Sequence, residues 1–296
     1  MNVFIAGQHG QLSQALQALQ ALLATKAQVT VVGRAQVDFS QLDELYRRVL
    51  AARPDVIINA AAYTAVDAAE SDAETATLIN ESVPRVFAQA AQHLGIPLVH
   101  YSTDYVFDGT QEGRYREDAP TCPLNVYGRT KLAGENAVRE GVERHLILRT
   151  SWVYSWQGNN FLRTMVRLLS ERDELNIVDD QVGAPTWTRT IAEATERLLA
   201  CSRQRDDLWG TYHLTANGAT SWFGFAEQIA QRLREQGRLK ARLNPIPSSS
   251  YPTPAYRPSN SRLSTDKLAA VLGQPLPEWQ AAFAQCWDEQ PSQVGS

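Results

Sequence analysis

Tyr127 and Lys131 stand four positions apart in Tyr127-Gly128-Arg129-Thr130-Lys131, where a helical pattern begins just after Pro123. At that spacing both side chains lie on one helix face. A phenol titrating near 10 is a poor proton donor at neutral pH. A neighbouring ammonium favours its phenolate, and each tenfold gain in phenolate corresponds to about 1.4 kcal/mol. Such a pair suits hydride transfer to a ketone, because the alkoxide left behind must take a proton. Lys131 is also long enough to hydrogen-bond a ribose of the hydride donor. The stretch Tyr101-Ser102-Thr103-Asp104-Tyr105-Val106-Phe107-Asp108-Gly109 follows an apolar run. It places Thr103 and Asp104 at a strand end, which in a doubly wound sheet faces the ligand crevice. Thr103 would hold the substrate oxygen beside Tyr127, so that proton and hydride meet the carbonyl together.

A second group of residues suits phosphate. Gly7-Gln8-His9-Gly10-Gln11-Leu12-Ser13 follows the first apolar run directly and opens a helix. Gly7 and Gly10 permit positive φ and let backbone N–H groups approach a pyrophosphate at the positive helix end. The spacing is GxxGxxS rather than GxGxxG, with Ser13 as the third small residue. After the second apolar run comes Gly33-Arg34, and the nearest acid is Asp38. An Arg at that point suits a 2′-phosphate better than a free pair of ribose hydroxyls, so NADPH is expected, with NADH possible.

These groups need a frame. Val3–Ala6, Val29–Val32, Val56–Asn59, Pro97–Tyr101 and Leu146–Leu148 read as strands, because each is a short continuous apolar run. Helical patterns lie between them, at Leu12–Leu23, at Leu42–Ala52 with Ser40 as N-cap, and at Ala73–Leu94 with a break near Pro84. Buried strands alternating with amphipathic helices require a parallel sheet covered on both faces. The expected fold is therefore α/β: a Rossmann-like doubly wound parallel sheet, with a smaller mixed α/β substrate domain. After residue 150 the expected elements are helices at Phe161–Ser170, Ile191–Cys201 and Ser221–Glu235 and a strand at Leu175–Val178. Asn244–Pro258 carries five prolines and reads as an irregular binding loop. The expected division is 1–150 with 175–200 for the dinucleotide and 151–174 with 201–296 for the substrate. Residues 290–296 read as a frayed tail.

The chain has 296 residues, 44% of them hydrophobic, and a formal net charge of −4. That balance speaks against a nucleic-acid partner. No run of about 18 apolar residues exists for a membrane span. The N-terminus shows no secretory signal, and Cys122, Cys201 and Cys286 are odd in number and widely separated. Reduced thiols and a cytoplasmic location are expected, with no zinc site.

Larger blocks carry a resemblance. They are Gly7-x-x-Gly10-Gln11-Leu12, Asp55 to Asp67, Ser102 to Gly109, Pro123 to Gly128, Arg149 to Tyr154, Gly158 to Phe161, Asp180 to Thr186 and Tyr251 to Ser261. Through them the chain resembles the extended short-chain dehydrogenase/reductases and, within these, the dTDP-4-dehydrorhamnose reductase family. The resemblance covers nearly the whole chain. It implies reduction of a dTDP-linked 4-keto sugar, with Tyr127 as proton donor, Lys131 as its ribose-anchoring partner and Thr103 tuning the transfer. Gly10, Gln11 and Leu12 would lie against the pyrophosphate, Asp38 and Phe39 against the adenine end, and Ala62, Tyr63 and Thr64 along the cofactor's middle. Thr103, Asp104 and Trp152 would contact the sugar nucleotide, and Arg257, in the proline-rich loop, its diphosphate. Some members dimerise through magnesium held by a carboxylate early in the first helix. Here that helix reads Gln14-Ala15-Leu16-Gln17, so no structural magnesium is expected, and monomer or homodimer stays open. Two rivals stand beside this reading: a reductase or epimerase of another nucleoside-diphosphate 4-keto sugar, and a non-catalytic subunit similar to the regulatory subunit of methionine adenosyltransferase.

Overall fold

Short apolar runs closed by glycine, proline or polar turns become the strands of one central sheet. The computed structural model describes residues 1–22, 28–33 and 35–290. The chain opens with β1 (Asn2–Ala6), α1 (Gln11–Leu22), β2 (Gln28–Val32), α2 (Leu42–Ala52) and β3 (Val56–Asn59). Then come α3 (Val66–Ala69), α4 (Ala73–Thr77), α5 (Val83–Leu94), β4 (Leu98–Thr103), α6 (Val126–Gly141) and β5 (His145–Thr150). The later elements start with β6 (Val153–Tyr154), α7 (Phe161–Glu171), β7 (Glu174–Val178), β8 (Val182–Gly183) and β9 (Thr186–Trp187). They continue as α8 (Thr188–Ser202), β10 (Gly210–His213), β11 (Thr220–Ser221) and α9 (Trp222–Glu235). The last are β12 (Arg242–Ile246), α10 (Asp266–Leu272) and α11 (Trp279–Asp288).

Six strands pair in parallel in the order β10-β5-β4-β3-β1-β2. The order reverses at β1, with β2 on one side and β3 on the other, which opens a crevice beyond the strands' C-terminal ends. Alternate residues feed the two faces of the sheet. Phe4, Ala6 and Ile57 pack with Leu45, Phe87 and Val138 of α2, α5 and α6. Val3, Ile5, Val56 and Ile58 pack with Leu16 of α1 and Ile191 and Leu198 of α8. Each such side chain contributes about 1.5–3 kcal/mol when fully buried. A separate core joins Leu162, Phe225 and Phe283 of α7, α9 and α11 with Ile177 of β7. Among the described residues no helix is long and apolar enough to cross a membrane.

Packing redraws the expected boundaries. β7 pairs with β12 outside the central sheet, so 175–178 belong with the core of α7, α9 and α11. β10 pairs with β5, and Leu268 of α10 joins α8 and Tyr212 under the sheet, so parts of 201–296 return to the central sheet. Asn244 to Ile246 are strand rather than loop, because Pro245 sits in a two-stranded edge ladder where a missing N–H is tolerated. Ser40 is not the cap of α2. That position is Gln41, without a side-chain bond, while Ser40 donates its N–H to Asp38 in a local turn. Residues 23–27 and 291–296, which close the expected first helix and the tail, lie outside the described residues.

The helix expected across Ala73–Leu94 breaks one turn before Pro84. A π-helical turn at Leu78–Ser82 joins α4 to α5, and Pro84 sits in the first turn of α5, where no N–H is needed. The turn brings buried Asn80 against α6. Gly134 gives it room, since a methyl group there would stand 2.0 Å from the Asn80 carbonyl oxygen. Gly134→Ala is expected to lower unfolding free energy by about 1–3 kcal/mol through overpacking, read as a fall in chemical-denaturation midpoint. An unchanged midpoint would mean that α6 does not press on the π turn.

Candidate active site

α6 starts where Asn125 caps it, its Oδ1 accepting the Gly128 N–H at 2.7 Å. Asn125 Nδ2 donates to the Tyr256 carbonyl at 2.8 Å, tying the cap to the proline-rich segment. Tyr127 sits in the first turn and packs edge-on against Tyr105, with centroids 5.7 Å apart. Gly128 lets this happen, because a methyl group there would stand 2.2 Å from the Tyr105 carbonyl oxygen. One turn on, Lys131 is buried and donates from Nζ to the Tyr101 carbonyl at 2.6 Å.

A cavity of about 520 Å³ opens beyond the C-terminal ends of the strands. Gly10, Gln11, Leu12, Ala62 and Thr64 line one part of it. Thr103, Asp104, Tyr127, Lys131 and Trp152 line another. The expected proton-transfer group and the expected phosphate turn therefore share one cavity. Thr103 donates from Oγ1 to Asp104 Oδ1 at 2.9 Å and accepts the Tyr105 N–H at 3.2 Å.

Other expected residues stand off the wall. Gly7 lies just behind it with φ 106°, and a side chain there would meet the Ala60 carbonyl at 2.9 Å. Tyr63 is half-buried, its backbone N–H and C=O both bound by the Asn80 amide. Asp38 is exposed and held below the usual carboxylate range by Ser40. Phe39 belongs to the core under α2 rather than to the cavity wall. Arg34 lies outside the described residues. Arg257 does not line the cavity either. Its Nη1 and Nη2 bind Asp67 at 3.0 and 2.7 Å, so this guanidinium ties the proline-rich segment to α3 instead of standing free for a diphosphate. Gln11 also does more than expected. Its Nε2 donates to the Val153 carbonyl, and its Oε1 accepts from Ser155 and Asn160, clasping the glycine turn to the segment between β6 and α7.

Sequence reasoning passed over Asn80, Asn125, Glu135, Gly183 and Trp222. Asn125 three residues before Gly128 is an N-cap signal that could have been read. The others act through contacts between distant segments. Asn80 Nδ2 also donates to Thr130 Oγ1 at 3.1 Å, so one amide clamps the loop after β3 to the helix of Tyr127. Trp222 stacks on Trp152 across the cavity lining.

Burial sets the protonation states. It pulls the Lys131 ammonium down to about 8, with the Glu135 charge opposing. It pushes the Tyr127 phenol above its ordinary value, against the Thr103 hydroxyl, and the Asp104 charge adds to the push. Asp104 is itself pushed by burial up to about 6, against Ser261 and Thr103. His100, behind Lys131, is held well below its usual value by burial and by the Lys131 and Arg139 charges. The cavity thus holds a protonated phenol beside a marginally charged ammonium.

The family model described as the RmlD substrate binding domain matches residues 1–291. A dTDP-4-dehydrorhamnose reductase of Burkholderia thailandensis is 45% identical, covering 97% of this chain and 98% of the relative. The Escherichia coli dTDP-4-dehydrorhamnose reductase is 43% identical over 98% of both chains. The chain belongs to the dTDP-4-dehydrorhamnose reductase family. The solved dTDP-4-dehydrorhamnose reductase of Bacillus anthracis, in complex with NADP, superposes with TM-score 0.90 at 34% identity, covering 97% of this chain and 99% of that one. A Thermus thermophilus UDP-glucose 4-epimerase complexed with NAD shares the fold alone, with TM-score 0.82 at 19% identity.

For this member of the family the protonation states give a signed pH dependence. A base whose pKa is lowered loses its proton as pH rises through the lowered value. Tyr127 stays protonated over the same range, so the alkaline limb belongs to Lys131. In initial-rate assays from pH 6 to 10, kcat/KM for the nicotinamide cofactor is expected to fall with an apparent pKa of about 8. A flat profile up to pH 10 would show that the Lys131 charge does not matter.

Proposed function

We propose that this chain transfers a hydride from NADPH to the carbon-4 ketone of dTDP-4-dehydro-β-L-rhamnose, giving dTDP-β-L-rhamnose, the last step of dTDP-L-rhamnose synthesis. The observation that carries this reading is that one cavity is lined both by the start of α1 and by Thr103, Tyr127 and Lys131. Its relatives, reductases of this same sugar nucleotide by name, supply the substrate class.

The α1 terminus suits a dinucleotide pyrophosphate. The first N–H groups of a helix have no intrahelical partner and carry partial positive charge. α1 runs twelve residues from Gln11 with no acid in its first turn to compete for an anion. A methyl group at Gly10 would meet nothing nearer than 4.0 Å, so the approach to this turn is open. When bound, a nicotinamide dinucleotide supplies the hydride.

The chain's own residues do the rest. Tyr127 gives its phenolic proton to the oxygen on carbon 4 as negative charge develops there. The Lys131 ammonium stabilises the phenolate that remains. The Thr103 hydroxyl would turn the proton that it gives to Asp104 in the free chain toward the substrate oxygen, holding that oxygen next to the phenol. Hydride and proton together convert ketone to secondary alcohol, and solvent reprotonates Tyr127. Ala62 and Thr64, on the same wall as the glycine turn, would run along the middle of the cofactor. Tyr63, Asp38 and Phe39 would contribute through the backbone that they fix.

The test is NADPH oxidation with dTDP-4-dehydrorhamnose generated in situ, beside an NADH control and a panel of other nucleoside-diphosphate 4-keto sugars. Dominant turnover of another sugar would sink the substrate assignment. Tyr127→Phe should lower kcat by about 10²–10⁴-fold while NADPH affinity stays within about twofold. Lys131→Ala should raise KM for NADPH and lower kcat together. Wild-type kcat in Tyr127→Phe would remove Tyr127 as the proton donor.

A further inference from the structure

Lys131, Glu135 and Arg139 follow one another at four-residue intervals on α6, so the three side chains share a face of the helix. Lys131 and Glu135 are buried, while Arg139, one-third exposed, carries the row out to the surface. Arg149 of β5 is buried against the middle of the row. Glu135 accepts hydrogen bonds from Nε and Nη2 of Arg149 and, at 2.5 Å, from Nη2 of Arg139. Lys131 instead donates to the Tyr101 carbonyl, which carries no charge. Three cations thus draw on one buried carboxylate, and the two arginines hold it by direct contact.

The other ionisable groups packed around Lys131 keep one charge state as pH rises above neutral. On β4, His100 is held well below its usual value by burial and by the Lys131 and Arg139 charges, and burial pushes the Tyr101 phenol up. On β10, burial brings His213 down to about 3, with the Arg149 charge adding. At the cavity, burial sets Asp104 at about 6 and keeps the Tyr105 and Tyr127 phenols protonated. α5 and the π turn bring Arg85 and Glu81, which pair with each other. α3 brings Asp67, paired with Arg257, and Glu70, which takes the Val126 N–H. α4 brings the exposed Glu74. The adjustable part of the field at Lys131 therefore lies in its own row and in Arg149.

We infer that Glu135 and Arg139 are positioning residues that set, from one and two helical turns away, how firmly Lys131 holds its positive charge. The inference rests on the reductase reading above for what that charge does. Glu135 favours the ammonium. Arg139 opposes it twice over, by its own charge and by neutralising the Glu135 carboxylate. With so little water in the row, a unit charge one turn away changes an ionisation by about tenfold or more. Loss of the outer cation and loss of the anion therefore move Lys131 in opposite directions, the first strengthening the ammonium and the second weakening it. A purely packing role for Arg139 would move it in neither.

The test uses the full chain as wild type, Arg139→Gln, Arg139→Lys and Glu135→Gln, each checked by thermal melting. The sequence holds four lysines, so carbon-13 labelling at lysine Cε gives few signals, and Lys131 is the one lost in Lys131→Arg. Its titration is followed by NMR without ligands, and the alkaline limb of kcat/KM for NADPH is measured beside it. The wild-type midpoint is expected at about 8. Arg139→Gln should raise it by about 0.5–1 in pH, Arg139→Lys should leave it within about 0.2, and Glu135→Gln should lower it by about 1 or more. The kinetic limb should follow the same order. Where Glu135→Gln does not fold, the two Arg139 variants decide. A midpoint that stays put in Arg139→Gln, or moves equally in Arg139→Lys, overturns the inference, as does a rise in Glu135→Gln. Midpoints that move as expected while the kinetic limb stays fixed would instead overturn the role of Lys131 in the reductase reading.

Discussion

Glu135 is fully buried one helical turn beyond Lys131, and its carboxylate accepts Nε and Nη2 of Arg149 at 2.8 and 2.7 Å. Arg139 adds a third bond at 2.5 Å and reaches Thr211 of β10 at 3.3 Å. Burial alone would push this carboxyl up, but the Arg149 hydrogen bonds and charge, with help from Ser102 and Arg139, hold it below its ordinary value. Net stability from a buried pair is modest because both ions are desolvated. Losing one partner leaves a charge stranded and costs about 3–5 kcal/mol. The pair therefore specifies an arrangement more than it strengthens one: it locks α6 to β5 in a single register. Tyr127 and Lys131 ride on α6, and β5 runs on into Trp152, so Tyr127 and the Trp152 side of the cavity are fixed by the same carboxylate.

Around that lock, close approach replaces bulk. Glycines at 128 and 134 bring α6 against the Tyr105 and Asn80 carbonyls. The π turn supplies the extra residue that aims Asn80 inward, where its amide joins the loop after β3 to Thr130. Departures from regular helix of this kind concentrate where a site needs a side chain re-aimed. The loop after β3 and α6 are thus one rigid piece. Gln11 and the Asp67–Arg257 pair extend it, the first to β6 and the second to the proline-rich segment.

Elements with a local cause were legible in the sequence. β1, β3, β4 and β5 centre on apolar runs buried on both faces, which have no alternative reading as exposed elements, and β2 keeps the same apolar run at the half-buried edge of the sheet. Tyr127, Lys131, Thr103 and the glycine turn were legible because helix spacing and strand ends bring them together for any chain of this fold. What escaped depends on partners far along the chain. β10 reads Gly-Thr-Tyr-His and gains its place only by lying beside β5. Pro245 argues against a strand until β7 is there to pair with it. Arg257 looked free for a phosphate because nothing near it in sequence announces Asp67. Gly183 and Trp222, far apart in sequence, have no common feature except the Trp152 indole that both touch.

The return of β10 also shapes how the molecule comes into being. β5 offers an unpaired edge from the moment it is synthesised until β6 through α8 have been made and Gly210–His213 emerges. A parallel pairing closed over so long an excursion forms late, since its loop-closure entropy must be met before the contact gives anything back. α10 then covers α8 and Tyr212 later still. The two cores therefore mature together, and a chain stopped at the end of β5 would carry a naked sheet edge, the template on which strands of neighbouring chains add and aggregate.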